Sequence, residues 1–137
     1  MMTQLIYMSR PFGFDGAMLA GILTQSRRNN RRDGITGALI CRHDIYLQFV
    51  EGDAPMIDAL FARIRRDDRH LGVVLLWRGT DEKRLFPGWD MLDDPARSWL
   101  WSPEQVADNV VEAAPPASVR AVFDRLAGEL ASEKPIN

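Results

Sequence analysis

An α+β fold is predicted for this 137-residue chain by three observations. Short alternating or continuously apolar segments are interleaved with two longer segments whose apolar residues recur at helical spacing. Gly, Pro and short polar clusters punctuate them. The order is strand, helix, strand, strand, helix, strand, strand, the split arrangement of ferredoxin-like folds. The prediction is therefore a ferredoxin-like βαββαββ unit: a five-stranded mixed sheet with two helices on one face, plus two C-terminal helices.

Residues 3–9, Thr3 to Ser9, read as the first strand, and Pro11 with Gly13 makes the following stretch a loop. Asp15 is a plausible N-cap for a helix to about Asn29, with Met18, Leu19, Ile22 and Leu23 on its apolar side. Gly34–Cys41 and Ile45–Glu51 form a hairpin around Arg42-His43-Asp44. Asp53 with Pro55 opens the second helix, whose buried stripe is Ile57, Leu60, Phe61 and Ile64. The near-continuous apolar run Leu71–Trp77 predicts a central strand, and Leu85–Leu92 a fifth. After Asp93-Asp94-Pro95 the character changes, which divides the chain into a domain over 1–94 and a helical extension over 95–137. Ser102-Pro103-Glu104-Gln105 matches a capping box for a helix to about Val111. A last helix carries Val119, Val122, Phe123, Leu126 and Leu130 on one face.

Composition narrows the function classes. Hydrophobic residues make up 46%, enough for a core, and the net charge of −2 provides no basic field for nucleic acid or anionic membrane. The single cysteine, Cys41, cannot close an internal disulfide, which suits the cytoplasm. No charged leader with an apolar stretch opens the chain, and no apolar run approaches the ~20 residues of a membrane span. His43 and His70 are too dispersed to suggest a metal site, and no nucleophile–base–orienter set is apparent.

Several polar residues fall on apolar faces. Ile22, Ser26, Asn29 and Asn30 share one side of the first helix, and Arg63 and Asp67 are one turn apart on the second. A groove between the helices would have apolar walls and an amide-and-guanidinium floor, suited to a flat heteroaromatic with carbonyl and imide edges. Taken alone, Asn29 and Asn30 also read as helix C-caps and Arg63–Asp67 as a surface pair. Tyr7 lies mid-strand, and Gln48 occupies a mid-strand position where Val or Ile is usual. A buried Gln must be hydrogen-bonded or cost about 1–3 kcal/mol.

Taken together, Tyr7, Arg27 to Gly37 with its Asn pair, Gln48-Phe49-Val50-Glu51-Gly52, Asp67-Asp68-Arg69-His70 and Arg84 to Met91 resemble the BLUF family of flavin-using blue-light sensors. The resemblance runs over roughly residues 3–93. It implies FAD, or FMN, held noncovalently. Asn29, Asn30 and Arg63 would contact the ring's polar edge, Ile22 and Ile64 would sandwich it, and Asp67 would order the amides and Arg63. Tyr7 would give an electron and a proton to the excited flavin, with Gln48 bridging the two. Trp89 and Met91, placed on one strand face, would compete for the position beside Gln48. Arg27, Arg28, Arg31 and Arg32 read as a solvated helix end or as flanks of the phosphate tail. The chain departs from many relatives in carrying Asn29 where they have His. Trp99 and Trp101 read as cover for the sheet or as alternative electron donors.

The expected protein is a short photoreceptor that signals to a separate effector protein or through homo-oligomer contacts. A ferredoxin-like flavin oxidoreductase and a ligand-free dimerisation module are the alternatives. The first would need open access to the flavin edge that Tyr7 and Gln48 occupy, and the second would purify colourless.

Overall fold

The computed structural model describes residues 1–11, 16–66 and 70–133. The elements are β1 (Met2–Pro11), α1 (Gly16–Asp33), β2 (Thr36–Arg42), β3 (Ile45–Gly52), α2 (Ala54–Arg65), β4 (His70–Asp81), β5 (Leu92–Pro95), α3 (Pro103–Ala107), α4 (Val110–Ala113) and α5 (Pro116–Glu133). The sheet order is β4-β1-β3-β2-β5. β1 runs antiparallel to β3 and β4, and β2 antiparallel to β3, while β5 is parallel to β2, so the sheet is mixed as expected. Asp15, Asp67 and the side chains of Met18 and His70 fall outside the described residues. Among the described residues no helix is long and apolar enough to cross a membrane.

The period-2 pleat sorts the strand side chains onto two faces. Leu5, Tyr7, Leu39, Tyr46 and Val50 form one buried cluster with Ile22 and Leu23 of α1 and Ile57, Leu60 and Ile64 of α2. Ile6, Met8, Ala38, Ile40, Leu47 and Phe49 form another with Val106, Val111, Val119, Phe123 and Leu126. The apolar stripe of the last helix therefore covers the face that α1 and α2 leave open, and the sheet lies between two helical layers. Trp99 and Trp101 pack against this second cluster. The indole of Trp99 donates to Glu129 at 3.0 Å under the Arg125 guanidinium, 4.4 Å from the ring centroid.

Four expectations are corrected. The strand expected over Leu85–Leu92 is absent: of that range only Leu92 enters the sheet, paired with Ala38. Pro87 has no N–H and Gly88 turns at φ 84°, while the N–H groups of Leu85 and Phe86 donate to the Glu51 carboxylate at 2.8 and 2.9 Å rather than to a ladder. The run Leu71–Trp77 predicts a central strand, but β4 is at an edge. Most of its apolar residues are explained by two packed faces, with Val73 against one cluster and Val74, Leu76 and Trp77 against the other, while Leu75 is exposed. The first helix does not end at Asn29. It continues to Asp33, where Gly34 at φ 70° lets the Ile35 N–H reach Asn30 O at 2.9 Å, a Schellman-type stop. Finally, the helix expected to Val111 is split by Asn109 at φ 60°, although its capping box forms, Ser102 and Gln105 each accepting from the other's backbone.

Candidate functional site

The register of β1 and β3 sets Tyr7 directly opposite Gln48. Both are buried. The Tyr7 hydroxyl donates to Gln48 Oε1, and Gln48 Nε2 donates to Met91 Sδ at 3.4 Å. A thioether is a weak acceptor. The amide is thus held firmly at one end and loosely at the other. Phe61 of α2 packs on Tyr7 with ring centroids 5.5 Å apart.

The helices supply the complementary half. Asn30 is fully buried, and its Nδ2 donates to Asp90 O at 2.7 Å. Since a carbonyl can only accept, the Asn30 amide orientation is fixed, and its Oδ1 remains buried without a hydrogen bond. Arg63 Nη2 is also buried without a hydrogen bond, though it lies 3.5 Å from Asp33. A hydrogen bond from Arg32 holds the Asp33 carboxyl below the usual carboxylate range, so Arg63 is next to an anion. Buried unsatisfied polar atoms are uncommon enough to require a reason. The acceptor is on α1 and the donor on α2, the two helices whose Ile22 and Ile64 belong to one buried cluster. An imide edge, with N–H beside C=O, would satisfy both, so the residues present fit a flavin. Asn29 is half-buried beside Asn30.

Trp89 and Met91 do not share a strand face, because neither is in a strand. Met91 is 2% exposed and touches the Gln48 amide, whereas Trp89 is 47% exposed. The segment bearing them is fastened to α1 by residues whose role the sequence reading missed. Arg27 donates to Met91 O at 3.1 Å and to Asp93 at 2.8 Å, and Arg31 pairs with Asp90 at 3.0 Å. The available signal was Asp90 and Asp93, acids spaced to meet two of the clustered arginines. Cys41 is half-buried on β2 and donates to Asp94 O at 3.7 Å. Burial, with Asp93 and Asp94 nearby, pushes its thiol pKa up and disfavours the reactive thiolate.

The model of a family described as sensors of blue light using FAD matches residues 2–92. The photoactivated adenylate cyclase subunit beta of Euglena longa is 30% identical over 95 residues, which are 67% of this chain and 11% of that protein. The subunit of the same name from Euglena gracilis matches to the same extent. This chain therefore spans about a tenth of the length of these relatives. In the dark-state structure of BlrB, a BLUF protein, the likeness covers 93% of this chain and 96% of that one, at 27% identity and a TM-score of 0.75. Klebsiella pneumoniae BlrP1 with FMN and cyclic diGMP is similar over 96% of this chain and 35% of its own, at 27% identity and a TM-score of 0.67.

Proposed function

Because the chain belongs to the BLUF family of sensors of blue light using FAD, we propose that it registers light through a relay of Tyr7, Gln48 and Met91. The observation that carries this reading is the buried Tyr7–Gln48 hydrogen bond continued to the weak acceptor of Met91. Asn30 and Arg63 would hold the flavin's polar edge with Asn29 beside them, and Ile22 and Ile64 would flank the ring, while Asp33, 3.5 Å from Arg63, keeps an anion beside that guanidinium. When bound, the flavin would supply blue-light absorption and a short-lived oxidising excited state. Tyr7 would lend an electron and its phenolic proton and recover both when the pair recombines, so no net redox change would remain. Loss of the phenolic proton removes the donor that keeps Gln48 Oε1 turned toward Tyr7. The amide can then turn over and present Nε2 to the Tyr7 oxygen. Met91 opposes this only weakly, because sulfur is a poor acceptor and releasing the Nε2 hydrogen bond costs little. Trp89, two residues away, is the competing occupant of the place beside Gln48.

Residues 1–94 are the sensor in this reading, and residues 95–137 are the extension that passes its state to a separate effector protein or to homo-oligomer contacts. A single half-buried cysteine is consistent with work in the cytoplasm.

The test is an absorption spectrum before and after blue light. The purified protein should be yellow and show a small red shift that reverses in the dark. A lit state lasting on the order of a second corresponds to a barrier of roughly 17–18 kcal/mol. Cys41→Ser should keep the shift, since the relay needs no thiol adduct. A permanently bleached flavin, or loss of the photoproduct in Cys41→Ser, would sink the mechanism. Asn30→Ala should weaken flavin binding by about 1–3 kcal/mol, measured by titrating the apoprotein. Unchanged affinity would remove Asn30 from the flavin edge.

A further inference from the structure

Glu51 is fully buried, and the relay just described leaves it without a role. It lies on β3 three residues after Gln48, so its side chain leaves the opposite face of the sheet. Four donors converge on its carboxylate. Oε1 accepts from Leu85 N–H at 2.8 Å and from Gln4 Nε2 at 3.3 Å. Oε2 accepts from Phe86 N–H and from the Thr36 hydroxyl, both at 2.9 Å. The two backbone donors open the loop that leads to Met91.

That loop is bonded step by step from Glu51 to the relay. The Trp89 N–H donates to Phe86 O at 3.3 Å, and Trp89 O accepts from Gly37 N–H at 3.1 Å. Asp90 O accepts from Asn30, and Met91 Sδ accepts from Gln48. In the other direction, Gln4 is fully buried, and its Oε1 accepts from Arg120 Nη1 of α5 at 2.5 Å. The Gln4 amide has only one workable orientation, since the carboxylate requires its NH2 and the guanidinium its oxygen. Arg120 is held in turn by Asp124 at 3.1 Å and by the Phe49 and Trp77 rings, 5.4 and 4.9 Å from its guanidinium carbon.

We propose that Glu51 is a positioning residue: it sets the loop that holds Met91 against the Gln48 amide, and through Gln4 it ties that loop to Arg120 on α5. This rests on the reading of Tyr7, Gln48 and Met91 as the light-responsive relay. The consequence is specific. A shift of Met91 is resisted at Leu85 and Phe86 by a carboxylate whose other contacts end on the C-terminal helix. The relay and α5 thus share a hydrogen-bonded connection that runs around the sheet.

Glu51→Gln in the full flavin-loaded chain tests it. The amide keeps the shape, but one oxygen becomes NH2, so the N–H of either Leu85 or Phe86 must lose its acceptor. A hydroxyl can reverse its bond, and a backbone N–H cannot. The dark recovery of the red-shifted state should change by about threefold or more. Arg120→Met keeps an apolar stem against Phe49 and Trp77 and removes the donor to Gln4. It should leave the size of the red shift unaltered and abolish most of the light-dependent change in hydrogen exchange over residues 116–133. Recovery within about threefold of wild type in Glu51→Gln overturns the positioning role. A wild-type exchange response in Arg120→Met, or no such response in wild type, overturns the link to α5. If Glu51→Gln does not fold, Thr36→Val, which removes one donor from Glu51 Oε2, is read by the same recovery criterion. A wild-type chain without a reversible red shift would overturn the relay and this proposal together, whereas a normal wild-type shift with either failure above overturns this proposal only.

Discussion

Gln48→Leu is expected to keep the flavin and lose the red shift entirely, and Tyr7→Phe to keep the flavin and lose the photocycle. Leu preserves the bulk of Gln48 among Tyr7, Leu39 and Met91 but has neither the oxygen that accepts from Tyr7 nor the nitrogen that donates to Met91. Nothing is then left to exchange donor for acceptor. Phe preserves the packing of ring 7 on Phe61 and removes the proton that Tyr7 places on Gln48. Light-minus-dark difference spectra of the three proteins provide the check. Trp99→Phe is the control, since that indole lies on the opposite side of the sheet and is bonded to Glu129, and it should respond like wild type. Wild-type difference spectra in both Gln48→Leu and Tyr7→Phe would remove these residues from the relay.

Phe123→Ala is expected to cost about 3–5 kcal/mol of stability, a large part of the ~5–15 kcal/mol that holds a domain folded. Phe123 is fully buried at the centre of a three-ring cluster, with ring centroids 5.5 Å from Phe49 and 6.3 Å from Phe86. Two of its neighbours are anchored by the sheet and by the Glu51 carboxylate, so they cannot collapse into the space left behind. The loss adds a cavity term to the transfer term. Arg125→Ala, two residues on and on the exposed side, removes a surface contact with Trp99 and should cost no more than about 1 kcal/mol. Urea unfolding followed by tryptophan fluorescence would report both. Near-wild-type stability in Phe123→Ala would mean that α5 does not hold the sheet as described.

Much of the fold was legible because local periodicity reports local geometry. The alternation in Thr3–Ser9, the hairpin around Arg42-His43-Asp44, the Pro near the start of the second helix and the Ser102–Gln105 capping box each reappear where their spacing places them. The stripe from Val119 to Leu130 correctly called for a surface to cover, since a helix with an apolar face must bury it. Tyr7 and Gln48 could be singled out because a buried amide in a strand needs a partner.

What the sequence could not determine depended on partners distant along the chain. The first helix passes Asn29 because Gly34, not an asparagine, supplies the left-handed residue, and Asn30 faces inward because Asp90 O receives its NH2. The segment 85–91 has strand composition, yet it is a loop because Glu51 takes the Leu85 and Phe86 N–H groups and Pro87-Gly88 turns the chain. That single outcome separates Met91 from Trp89, placing one against Gln48 and leaving the other half-exposed. Periodicity also could not distinguish an edge strand packed on both faces from a central one, so β4 was misplaced. The sequence by itself determined the first four strands, the two long helices of the sensor unit and the last helix, and that a polar pair sits among apolar neighbours. Sheet order, the inward side chain of the loop and the Asn30 oxygen left without a hydrogen bond were decided by tertiary structure, because each depends on which donors and acceptors the whole fold brings together across long sequence separations.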